Sequence, residues 1–118
     1  MTNRKRIEGI QVNLKELSNY YYLKKEVTYL ERKAAQAKKQ KLSGEEYFFD
    51  MLEKAKDERQ KELLKLENFI CTIKSSYIRQ IFRLRFEECL SWSRIAGILH
   101  TSEDSVKHTC YRFMNKQQ

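Results

Sequence analysis

Between Ser102 and Lys116 the chain reads SEDSVKHTCYRFMNK. Six of these side chains, Glu103, Asp104, Lys107, His108, Tyr111 and Arg112, carry charge or hydrogen-bonding groups within three helical turns. Set on one helix, such groups suit nucleotides. Lys107 can bind phosphate or guanine, His108 can donate to either, and Arg112 can grip the backbone. Glu103 and Asp104 can accept from cytosine N4 and repel misplaced phosphates. They are equally what the first turn of any helix favours beside its positive end. Upstream, Ser93 and Arg94 stand where a preceding helix would cross the phosphate backbone.

Other chemistries find less support. No nucleophile, base and orienting group form a set, and the chain has no P-loop, dinucleotide-binding glycine pattern, HExxH or nucleophile elbow. An enzyme is therefore not expected, and no cofactor is called for. Cys71, Cys89 and Cys110 are odd in number, widely spaced and without a CxxC, and His100 and His108 have no cysteine pair nearby. That pattern is unlike a zinc site. It reads as reduced thiols of a cytoplasmic protein, mostly small core residues. Tyr20, Tyr21 and Tyr22 beside Lys24 and Lys25 invite a single-strand-binding reading. On a helix, however, three adjacent rings point three ways, so helix packing or dimer contacts explain them better.

The elements that must position these groups are helices. With 118 residues, no proline, three glycines, 41% apolar and 34% charged residues, the chain lacks the turn punctuation of a β sandwich. Twelve per cent aromatics is too rich for a wholly disordered chain. No apolar run approaches the ~18 residues of a membrane span, and the start, MTNRKRIEGI, lacks the apolar core of a secretory signal. No membrane association is expected. The formal net charge of +8 biases the protein toward polyanions, above all nucleic acid.

Periodicity divides the chain in two. From about Arg6 to Lys39, Ile10, Leu14 and Leu17, then Leu23, Val27, Leu30, Ala34 and Ala37, step by three and four, with a slip near Tyr20. Lys41-Leu42-Ser43-Gly44 is a break, with Ser43 a cap and Glu45 and Glu46 near the positive end of the next helix. A second stripe then runs through Phe48, Leu52, Ala55, Arg59, Leu63, Leu66, Ile70, Ile73 and Tyr77. Residues 1–75 thus read as a long amphipathic helical hairpin, although pairing of two chains through these coiled-coil-like stripes fits as well. A core this thin must be covered by the C-terminal third or by a second copy, so a homodimer is expected.

Residues 76–118 read as a three-helix unit. Ile78, Ile81, Phe82, Leu84 or Arg85, and Phe86 give a first helical face. Arg79, Arg83 and Arg85 form either a phosphate-facing ridge or a solvated face with Arg85 paired to Glu88. Ser91 caps a short helix bearing Trp92, Ile95, Ala96 and Leu99; His100-Thr101 turns; Ser102 caps a last helix bearing Val106, Cys110, Phe113 and Met114. Two caps eleven residues apart are the layout of a helix-turn-helix, with Ala96 at the crossing.

Across Ile81–Met114 these residues resemble region 4 of sigma-70-type transcription factors: Leu84, Arg85, Phe86, Glu87 (or Glu88), Leu90, Ser91, Ile95, Ala96, Leu99, Ser102, Ser105, Val106 and Lys107 keep its register. The family pattern has glycine where His100 stands, so the chain must turn there with a positive φ, which histidine tolerates. In architecture the chain is similar to small phage-encoded late-transcription regulators of the RinA/ArpU type. The resemblance implies an all-α, cytoplasmic phage or prophage protein in a bacterial host that binds double-stranded promoter DNA with the helix from Glu103 to Lys116. Its N-terminal helices would supply dimer contacts or dock on RNA polymerase. It does not extend to the promoter-melting region of a sigma factor. The alternative is a helical adaptor that binds RNA polymerase or another phage or host protein without reading DNA.

Overall fold

A computed structural model describes residues 11–40 and 46–117, and every regular element among them is helical. The expected break at Lys41-Leu42-Ser43-Gly44, with the Ser43 cap and Glu45, lies outside the described residues, as do Arg6 and Ile10. Among the described residues no helix is long and apolar enough to cross a membrane.

The first stripe is not one helix. Residues 11–13 are non-helical, and α1 spans only Leu14–Ser18. Asn13 Oδ1 accepts from the Glu16 N–H at 2.8 Å, and the Glu16 carboxylate accepts from the Asn13 N–H at 3.0 Å. This reciprocal pair satisfies donors that have no partner at a helix start, so the helix begins there. That contact and the ammonium of Lys65, 3.0 Å away, hold the Glu16 carboxyl below its usual range. A turn at Asn19 follows, and α2 runs Tyr20–Gln40. The turn shifts the register, and the slip read at Tyr20 puts that ring in the core with no exposure. Its hydroxyl donates to Glu67 at 3.2 Å, while burial, then the negative charges of Glu87 and Glu67, push the phenol well above its usual pKa.

Helix α3 covers Glu46–Cys71. The second stripe overshoots it: Ile73 is buried beyond the helix end, and Tyr77 is exposed on the next helix. The Thr72 hydroxyl donates to the Phe69 carbonyl at 2.7 Å and closes α3. Arg79 then donates to the Ile73 and Lys74 carbonyls.

The chain forms two compact units, residues 22–64 and the described residues up to Tyr21 with those from Lys65 onward. This division reflects packing; the expected division after residue 75 rests on the change in periodicity along the chain. In the unit of residues 22–64, Leu23, Val27, Leu30 and Ala34 are buried on α2, and Arg59 and Gln60 of α3 reach Glu26 and Glu31 at 3.6 and 3.3 Å.

The other unit is centred on rings. Phe82 lies 5.4 Å from Phe86, 5.5 Å from Phe113 and 6.3 Å from Phe69 between centroids, in tilted and edge-on arrangements that favour aromatic pairs. Phe82 ends α4 (Ser76–Phe82), which Ser75 caps by accepting from the Ile78 N–H at 3.2 Å. A π-helical turn, Arg83–Glu87, continues it, and Cys89 leaves with φ 58°.

Helix α5 is Trp92–Leu99 and α6 is Glu103–Gln117. Ser91 Oγ accepts from the Arg94 N–H at 3.2 Å and Ser102 Oγ from the Ser105 N–H at 3.1 Å, so both expected caps are present. His100 is left-handed, φ 55° and ψ 49°. Its N–H bonds to the Gly97 carbonyl and the Thr101 N–H to the Ala96 carbonyl. That is a Schellman closure with histidine at the position that favours glycine. A left-handed non-glycine residue costs roughly 1–2 kcal/mol, partly offset by the extra chain entropy that glycine would lose. His100→Gly is therefore expected to raise unfolding stability by about 0.5–1 kcal/mol, read as a higher urea midpoint at unchanged slope.

Candidate nucleic-acid interface

Helix α6 is two-sided. Val106, Cys110 and Met114 are buried and Phe113 is half-buried, whereas Glu103, Asp104, Lys107, His108, Tyr111 and Arg112 are exposed. At about 100° per residue, Asp104, His108 and Tyr111 fall along the outward face. Lys107 and Arg112, five residues apart, sit on its two edges, roughly 140° from each other around the axis. The face continues one turn on to Asn115, which is exposed and which the sequence reading missed. Its spacing from His108 and Tyr111, seven and four residues, was the available signal.

Among the described residues, Glu103, Asp104, Lys107 and Arg112 have no ion-pair partner within the protein, and neither has Arg94. Ser93 and Arg94 are exposed in the first turn of α5, while Trp92 between Ser91 and Ser93 is buried. Ile95 and Ala96 on α5, with Val106 and Cys110 on α6, line the buried side of the two helices; Leu99 is half-buried. The outward face of α6 is thus held by an apolar crossing and a closed turn.

One candidate contact is tied to that scaffold. The Tyr111 ring meets Trp92 edge-on at 6.0 Å, and the guanidinium of Arg85 lies 4.3 Å over the other ring of that pair, Trp92. Such cation–π stacking orients both partners. Arg85 also donates to the Leu90 carbonyl at 3.0 Å.

The arginines ahead of α5 therefore do not form the phosphate-facing ridge offered as one reading, nor is an Arg85–Glu88 pair the arrangement found. Arg79 closes the α3–α4 connection, and Arg85 braces Trp92. Arg83 pairs with Glu87 at 3.5 Å and donates to Cys71 Sγ at 3.6 Å, and that sulfur contact, ahead of the nearby charges, raises its pKa. Spacing alone could not show these uses, because each depends on a carbonyl, ring or sulfur brought near by the turns.

The cysteines divide. Only Cys110 is a core residue; Cys71 and Cys89 are exposed, which corrects the expectation of mostly buried thiols. Cys71 is the last residue of α3 and Cys89 lies just after the π-helical turn, where the chain leaves regular structure. Burial pushes the Cys110 thiol up to about 12, only partly opposed by Arg85. Among the described residues no three His, Cys, Asp or Glu side chains are grouped to hold a metal ion.

No protein-family model, curated protein or solved structure matches the chain.

Because the thiolate is the reactive species, the buried thiol should be inert where the exposed ones are not. Iodoacetamide at pH 8 is expected to alkylate Cys71 and Cys89 in the native protein and Cys110 only after denaturant is added, with intact mass as the readout. A third adduct formed at the native rate would contradict the burial of α6.

Proposed function

We propose that this protein is a sequence-specific double-stranded DNA-binding transcriptional regulator of phage or prophage type, in which α5, the turn at His100 and α6 act as a helix-turn-helix. The observation that carries the reading is the outward face of α6: Asp104, His108 and Tyr111 between two cations, Lys107 and Arg112, that have no ion-pair partner among the described residues, on a helix whose opposite side buries Val106, Cys110 and Met114. The N-terminal part of α6 enters the major groove and reads base edges. Lys107 and Arg112, on opposite edges of that face, contact phosphates on either side. Ser93 and Arg94 hold the backbone from the start of α5. The hairpin expected over residues 1–75 is supported, within the unit of residues 22–64, by the Glu26–Arg59 and Glu31–Gln60 contacts between α2 and α3. That hairpin pairs two copies, and a dimer sets two recognition helices about one DNA turn or a multiple of it apart.

The adaptor reading keeps one observation of its own. Ile98, on the same helix as Arg94, is 48% exposed, an apolar group that suits a protein partner better than a phosphate. RNA polymerase or another phage or host protein would dock there without any reading of DNA.

Gel shifts on random and selected duplexes separate the two. Lys107→Ala and Arg112→Ala are expected to weaken binding to all sequences, and Glu103→Ala or Asp104→Ala to change preference at particular base pairs. With about six phosphate contacts, affinity should fall by about three decades between 50 and 200 mM salt. Wild-type shifts from all four folded variants, with little salt dependence, would overturn the DNA reading in favour of the adaptor.

A further inference from the structure

We infer that residues 48–55 of α3 are the surface through which two copies of this chain pair. The inference rests on the dimeric part of the functional reading and lies wholly within the unit of residues 22–64. On that stretch Phe48 and Met51 are 48% and 51% exposed, and Leu52 and Ala55 are half-buried. Phe48, Leu52 and Ala55 belong to the stripe that a hairpin would turn inward, so the exposure of Phe48 needs a cause.

The cause, among the described residues, is the small size of those that stand level with it. Glu26 and Glu31 of α2 meet Arg59 and Gln60 of α3, and from there both helices run toward the same five-residue connection. Continuing at about 1.5 Å per residue brings Ala34 and Ala37 level with the 48–55 stretch. Alanines cannot cover a phenylalanine and a methionine. The apolar stripe is therefore complete on α3 and underfilled on α2, and a contiguous patch of this kind marks an interaction surface.

Charge identifies the occupant as a second copy. In this unit α2 carries six basic and two acidic side chains, a net of +4, whereas α3 from Glu46 to Leu64 carries four basic and six acidic, a net of −2. In the pairing we infer, a two-fold axis runs through the 48–55 stretches and α2 of each copy lies along α3 of the other. Opposite charges then meet on both sides of one self-complementary contact, as an isologous dimer requires. A generic acidic or basic partner would satisfy one helix and repel the other.

Sedimentation of the full chain without DNA, over an about hundredfold concentration range, tests this by mass action. Wild type is expected to sediment as two chains. The double variant Phe48→Glu/Met51→Glu, at positions exposed in the single chain, should keep its helical circular dichroism and dissociate at least about tenfold more readily. Ile98→Glu, exposed but outside this surface, should pair like wild type. A wild type that stays a single chain throughout overturns both the dimeric reading and this surface. A double variant that pairs as tightly as wild type overturns the surface alone. Gel shifts on the same samples keep the DNA reading separate: a chain that pairs through 48–55 yet shifts no duplex refutes DNA binding and leaves this inference standing.

Discussion

The outward face of α6 depends on one backbone conformation, the left-handed turn at His100. With φ at 55°, the Thr101 N–H returns to the Ala96 carbonyl and the chain reverses between the helices within three residues. A longer or looser connection would let α6 rotate about its axis. Every outward side chain would then move with it, because all are carried on one rigid helix. The turn is backed by a fully buried set, Ile95, Val106 and Cys110, for which a different crossing would leave voids. Positional precision in the candidate interface thus comes largely from buried apolar packing.

A second constraint lies in how the arginines are used. Three of the seven cations in residues 78–118, Arg79, Arg83 and Arg85, are half-buried and bonded within the protein. Lys107 and Arg112 on α6 and Arg94 on α5 remain outward. The basic excess of this part of the chain is therefore divided between structure and surface, and net charge overstates what a polyanion would meet. Arg85 joins the two roles: it stacks on Trp92, which sets Tyr111, so one buried-side cation fixes an outward aromatic.

In residues 22–64 the controlling quantity is side-chain volume. Buried Leu23, Val27 and Leu30 give way to Ala34 and Ala37 along α2, while α3 keeps large apolar groups to its start. The mismatch lies along the helix pair, and it separates a covered stretch from an open one on the same stripe.

Much of the helical content could be read in the chain itself. The caps at Ser91 and Ser102, the positive φ at His100 and the inward set Ile95, Ala96, Val106 and Cys110 follow from spacing and local hydrogen bonding, which act within a few residues and so are written in order along the sequence. The polar residues of α6 could likewise be listed as outward once its apolar side was known. Tertiary structure decided the remainder. The burial of Tyr20 beside Glu67, the exposure of Cys71 and Cys89, and the inward use of Arg79, Arg83 and Arg85 all depend on partners far along the chain or on turns that bring carbonyls, rings and sulfur together. Periodicity tells which side of a helix is apolar; only packing decides how much of that side finds cover, and which charged groups fold back onto the protein.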